Sequence, residues 1–187
     1  MKAAVVPAMN SSWLIKDVPQ PQPGPGQVLV KMHASGICYT DVHQTLGHLP
    51  GQFPRILGHE PVGEIVAVAP DVTTRRIGDR VGSAWIQSTC GRCGWCQRGR
   101  RMFCPFLKGT AGDVQGGHAE YMLMNADATY LIPDKVSYEQ AAPMFCAGVY
   151  RLWRAPLGRS AAARARGRTR NRWPRAPGGA IRESCGL

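Results

Sequence analysis

Cys90-Gly91-Arg92-Cys93-Gly94-Trp95-Cys96-Gln97-Arg98-Gly99-Arg100-Arg101-Met102-Phe103-Cys104 places four cysteines in the pattern C-x2-C-x2-C-x7-C. Thiolates at this spacing can converge tetrahedrally on one zinc ion, and Gly91, Gly94 and Gly99 permit the tight turns that convergence requires. Two other readings use the same residues: a pair of disulfides, disfavoured in a reducing compartment, and an iron–sulfur cluster, which also takes four thiolates. With zinc, residues 88–106 form a lobe held by metal. Binding of roughly 10–16 kcal/mol would make folding of the lobe depend on the ion.

Outward from the lobe, the chain reads as mainly β. Val18-Pro19-Gln20-Pro21-Gln22-Pro23-Gly24-Pro25-Gly26 is a connecting loop, because its prolines lack donors and its glycines favour turns. Residues 27–34, 63–69, 78–84, 117–124 and 129–132 read as short strands separated by Pro and Gly turns. Only residues 137–145 have a helical opening, where Ser137 and Gln140 suit a capping box. No fixed-period repeat is visible.

The 187 residues carry a net charge of +11, which by itself suggests a nucleic-acid partner. The charge is local, however. Residues 1–150 hold 13 Lys and Arg against 11 Asp and Glu, whereas residues 151–187 hold 10 Arg and one acid, Glu183. Arg, Ala, Gly and Pro fill 25 of those last 37 positions, too few apolar residues for a core, so residues 150–187 are expected to be a disordered tail. Its composition is that of codons built on G and C, as a shifted reading frame would give. The tail has only Trp153 and Trp173 for stacking and no amphipathic period. Its phosphate binding would therefore be nonspecific and salt-dependent. Pro7, Asn10, Ser11 and Ser12 interrupt any signal-peptide run, and no segment approaches the ~20 apolar residues of a membrane helix. A cytoplasmic location is expected, with no membrane partner.

Three further metal-capable residues stand outside the lobe: Cys38 in Cys38-Tyr39-Thr40-Asp41-Val42-His43, His59 in Gly58-His59-Glu60, and Cys146 in Phe145-Cys146-Ala147-Gly148. Two thiolates and an imidazole make an open zinc site. Singly, each is more often a buried Cys or a satisfied His. Together with the lobe between them, in the order C-x-T-D-x-H, G-H-E-x-x-G-E, lobe, F-C-A-G, they resemble the medium-chain zinc-dependent alcohol dehydrogenases over residues 1–149.

That resemblance implies a GroES-like β-barrel catalytic domain over 1–149 and two zinc ions per chain. Cys90, Cys93, Cys96 and Cys104 would hold the structural ion, and Cys38, His59 and Cys146 the catalytic one. Asp41 and Glu60 match the family's acidic neighbours of the ligands, Thr40 the acceptor of the alcohol proton, and His43 the residue relaying it toward solvent. The competing readings are solvated acids, a surface hydroxyl and a surface histidine. Trp85 matches an aromatic wall of the substrate pocket or is simply core. His48 could line the pocket mouth, and His33 and His118 sit in strand-like patterns as structural residues.

The implied reaction converts an alcohol to an aldehyde or ketone with NAD or NADP. The implied partner is a small alcohol or aldehyde, and the assembly a homo-oligomer. The family's Rossmann half carries G-x-G-x-x-G for the cofactor's pyrophosphate. No such run occurs here, and Gly24-Pro25-Gly26 and Gly178-Gly179 lack its spacing. The sequence thus predicts a catalytic domain without its Rossmann domain, inactive alone and lacking most of the family's dimer surface. The alternative is a non-catalytic zinc-binding fragment with a nonspecific basic tail.

Overall fold

The computed structural model describes residues 1–49 and 51–149. The expectations of disorder and of a shifted frame for 150–187 fall on residues outside these.

Among the described residues, ten strands form three sheets. β1 (Lys2–Val6), β2 (Leu14–Asp17) and β4 (Arg55–Ile56) make one, in the order β2-β1-β4. The main sheet runs β10-β6-β5-β3-β9, from β3 (Gln27–Gly36), β5 (Glu60–Val68), β6 (Arg80–Ser83), β9 (Tyr121–Asn125) and β10 (Thr129–Leu131). β7 (Ile86–Ser88) and β8 (Lys108–Gly109) pair beside the cysteine lobe. All these pairings are antiparallel, as short runs joined by tight turns allow.

Val28 and Val30 of β3, Ile65 of β5, Val81 of β6 and Met122 and Met124 of β9 pack as the main core. β3 lies between β5 and β9, with register shifts at Leu29/Val30 and Met32/Ala34. Its far end delivers the chain to Cys38, and β5 begins immediately after His59. The pairing Gly36↔Glu60 therefore brings two of the sequence motifs together.

The expected strands are present with shifted ends, and the loop over 18–26 contains no strand. The reading of a single helical opening requires correction. Residues Tyr39–Thr45 form a helix, α1, whose first turn is closed by Asp41 accepting from the Cys38 amide at 2.9 Å. A cysteine at the N-cap hides this turn, because helix starts are usually marked by Ser, Thr, Asp or Asn there. A second short helix, α2 (Gly94–Gln97), lies within the lobe. The expected opening at Ser137 is α3 (Tyr138–Ala141), with Ser137 Oγ accepting from the Gln140 amide at 3.3 Å and Gln140 Oε1 from the Ser137 amide at 3.2 Å. A 3-10 turn, Ala142–Phe145, follows and ends at Cys146. Phe145 packs against the small cluster of Val62, Ile132, Ala141 and Ala142, tying this turn to the main sheet. Among the described residues no helix is long and apolar enough to cross a membrane.

Candidate metal centres

The lobe gathers its four cysteines by backbone turns. Cys93 precedes α2, Cys96 lies within it, and Cys104 ends the 3-10 turn Arg101–Phe103. The Sγ separations are 4.0 Å for Cys90–Cys96, 3.6 Å for Cys93–Cys96 and 3.6 Å for Cys90–Cys104. A tetrahedral ion with Zn–S bonds of about 2.3 Å sets its ligands about 3.8 Å apart, so the four sulfurs fit one zinc. A disulfide would need about 2.0 Å, and none of these cysteines is bridged. The amides of Cys93 and Arg92 hold the Cys90 thiol down to about 6, while burial pushes Cys96 up to about 11. The lobe can thus offer the Cys90 thiolate readily, whereas Cys96 releases its proton to solvent only as a metal ion binds its sulfur.

A second cluster brings together Cys38, His59, Glu60 and Cys146, with ligand atoms all within 4.8 Å of one another. Cys38 and Cys146 Sγ are 3.8 Å apart, again the edge of a zinc tetrahedron. His59 is buried, and among the described residues neither ring nitrogen has a hydrogen-bond partner. Buried polar atoms normally have one, so an imidazole left open on the side facing two thiols fits a metal. His59 Nδ1 lies 3.7 Å from Asp41 Oδ1, and Nε2 lies 3.9 Å from Glu60 Oε1. The Nε2 edge therefore faces the cluster.

Burial pushes the Cys38 thiol up, but the Thr40 amide and hydroxyl and the nearby His59 ring outweigh it, and the net shift is downward. Cys146 is pushed up to about 12, first by burial and then by its neighbour Cys38. Burial also lifts Glu60, against the pull of His59. For His59 burial acts downward, yet Asp41 and Cys38 win and raise it. Asp41 is wholly buried, but the His59 ring and the Cys38 amide hold it below the ordinary carboxylate range.

The site residues expected from the sequence occupy distinct places around this cluster. α1 turns Asp41 and Gln44 inward, Asp41 accepting from the Gly58 amide at 3.0 Å and Gln44 donating to the Ala111 carbonyl at 2.8 Å. Thr40 Oγ1 is 3.7 Å from Cys38 Sγ. His43, three residues on and so near Thr40's face of the helix, stands edge-on to Tyr39. Its Nδ1 is 3.2 Å from that of His48, a pair in which one ring must donate and the other accept.

The reading of Asp41 and Glu60 as solvated acids is overturned, since both are buried. Trp85 is 44% exposed, which removes the reading of it as core. His33 is stacked on Tyr138 at 4.4 Å. His118, read as a strand residue, lies outside β9 with its Nε2 3.8 Å from Asp41 Oδ1. Nothing in its local sequence signals that contact. A cavity of about 400 Å³ lies elsewhere, lined by Val5, Val18, Ile56, Tyr121 and Leu123 among others, and includes no residue of either cluster.

Comparison with known proteins agrees with this geometry. The family described as "Alcohol dehydrogenase GroES-like domain" matches residues 24–134. An alcohol dehydrogenase of Geobacillus stearothermophilus is 44% identical over 151 residues, covering 80% of this chain and 45% of that protein. The crystal structure of the alcohol dehydrogenase from Aeropyrum pernix superposes with a TM-score of 0.72 at 33% identity, over 80% of this chain and 45% of that one. A protein of Sinorhizobium meliloti 1021, assigned as a zinc-binding dehydrogenase and solved with NADP, gives a TM-score of 0.68 at 34% identity, over 73% of this chain and 39% of that one. The chain therefore spans less than half the length of these relatives.

Proposed function

Because the chain belongs to the medium-chain zinc-dependent alcohol dehydrogenase family, we propose that residues 1–149 are the catalytic-zinc half of an enzyme interconverting alcohols with aldehydes or ketones. Cys38, His59 and Cys146 hold the catalytic ion, and Cys90, Cys93, Cys96 and Cys104 the structural one. The observation that carries this reading is the buried, unpartnered His59 ring beside two thiols at tetrahedral spacing.

Zinc bound there supplies Lewis-acid polarisation of a substrate oxygen and eases loss of its proton. The chain's own residues do the rest. Thr40, next to Cys38, accepts the alcohol proton, and His43 takes it onward, with His48 in hydrogen-bond reach of His43. Asp41 fixes the His59 ring so that Nε2 points into the cluster. The hydride acceptor in this family is a nicotinamide, NAD or NADP. The sequence carries no G-x-G-x-x-G run, so no residue of this chain is assigned to it. A small alcohol or aldehyde is the substrate class, the location is cytoplasmic, and the assembly is a homo-oligomer where a nucleotide-binding half is present.

A second reading has a specific observation behind it. Glu60 stands within ligand reach, and a carboxylate in the fourth position would close the site, as in a non-catalytic zinc-binding fragment.

Elemental analysis and cobalt substitution separate the readings. Two zinc ions per chain are expected. In the cobalt form, added imidazole or a primary alcohol should change the visible spectrum of the three-ligand site, because a position is open. A spectrum unmoved by either favours closure by Glu60, and a single ion per chain removes the catalytic site.

A further inference from the structure

Asp41 faces two imidazoles, and only His59 enters the zinc reading above. We infer that His118 is a positioning residue for that site: its ring closes the far side of Asp41, and so holds the carboxylate that orients His59. The inference rests on Cys38, His59 and Cys146 being a metal site.

Asp41 is wholly buried, and its two oxygens are used differently. Oδ2 accepts from the Cys38 amide at 2.9 Å. Oδ1 accepts from the Gly58 amide at 3.0 Å and stands between His59 Nδ1 at 3.7 Å and His118 Nε2 at 3.8 Å. Both ring contacts are longer than a hydrogen bond, so the carboxylate is centred between two rings rather than committed to one. His118 Nε2 is buried with no hydrogen-bond partner among the described residues, and Asp41 Oδ1 is the charged atom it faces. If the His118 nitrogen is lost, Asp41 has one imidazole neighbour and a side without a polar contact.

The His118 ring is itself fixed. Its amide donates to the Leu57 carbonyl at 2.9 Å, and its carbonyl accepts from the Ala4 amide at 2.8 Å, anchoring its backbone to β1 and to the residue that follows β4. The ring lies against Gly58, where φ is +96° and a Cβ would come within 2.8 Å of His118 Nδ1. Gly58 is thus the residue that both admits the His118 ring and leads into His59. On the other side Trp13 packs with ring centroids 5.3 Å apart, and its Nε1 donates to Thr45 Oγ1 at 2.9 Å. Thr45 donates in turn to the Asp41 carbonyl at 2.8 Å. Trp13 therefore braces His118 and, through Thr45, the backbone of Asp41.

The test uses the full chain loaded with cobalt(II), with the four-thiolate lobe as an internal control for folding. His118→Phe keeps an aromatic ring without nitrogens, and His118→Gln returns an N–H donor on a side chain of similar reach. Expected for His118→Phe is a loss of about tenfold in cobalt affinity at the three-ligand site, with shifted visible bands and an unchanged lobe, as for other outer residues that orient a ligand. His118→Gln should recover most of that loss. Three results overturn the inference: wild-type affinity and spectrum in His118→Phe, equal losses in both variants, or losses at both metal sites alike. A wild-type chain that binds cobalt only at the lobe refutes the zinc reading instead, which distinguishes the two failures.

Discussion

Asp41→Asn should weaken both the fold and the three-ligand site, and the structure sets the size of each effect. The carboxylate accepts from two backbone amides, the part-buried Cys38 at 2.9 Å and the buried Gly58 at 3.0 Å, one on each oxygen. Asparagine keeps the shape but replaces one oxygen with an NH2. Whichever way it turns, one amide then faces a donor. A buried donor left without a partner costs about 1–3 kcal/mol, and the surviving bond is no longer charge-assisted. A total near 2–3 kcal/mol is expected, which for a domain of this size lowers Tm by about 4–12 °C. His59 also loses the carboxylate facing its Nδ1, so metal affinity at Cys38, His59 and Cys146 should fall about 10–100-fold. Differential scanning fluorimetry reports the first effect and competition with a chelating dye the second, each on protein saturated at the lobe. A Tm within about 1 °C of wild type, given the conversion above, together with unchanged metal affinity, would refute the argument, since it would mean that neither amide nor ring depends on the charge.

Two other predictions follow from the same structure. Cys146 is pushed up to about 12 and Cys96 up to about 11, so both hold their protons at neutral pH without metal and must release them to bind it. Zinc affinity at both sites should therefore fall as pH falls, with at least one proton released per ion. Calorimetry in buffers of different ionisation enthalpy measures this, and a buffer-independent heat would count against thiol ligation. Gly82→Ala places a methyl group onto the Phe145 ring, next to Cys146, at an overpacking cost of about 1–3 kcal/mol. It should lower metal affinity at the three-ligand site while leaving the lobe intact. Equal metal content at both sites would show that Phe145 does not set the position of Cys146.

The lobe is legible because its four cysteines are local: the spacing within residues 90–104 already implies convergence, and the sulfur separations agree with it. β3 was legible for a similar reason, since a run rich in β-branched and apolar residues between Gly turns needs no distant partner to be recognised. β1 and β2 were not read. Lys2–Val6 is short, followed by Pro7 and apolar at four successive positions, so its sequence does not alternate although its burial does, and every residue of Leu14–Asp17 is exposed. α1 was missed because its cap is a cysteine.

The proposed three-ligand site rests on resemblance, because nothing local links Cys38, His59 and Cys146; the link is made by the β3–β5 pairing and by Phe145, the last residue of the 3-10 turn, packed against the cluster around Val62. Asp41 shows why such a site resists reading from its residues alone. One oxygen closes the first turn of α1 through the Cys38 amide, while the other accepts from the residue before His59 and faces the two imidazoles. The helix start and the ligand geometry are therefore one arrangement. A substitution that frees the carboxylate from either task loosens both, so stability and metal affinity should vary together for changes at Asp41.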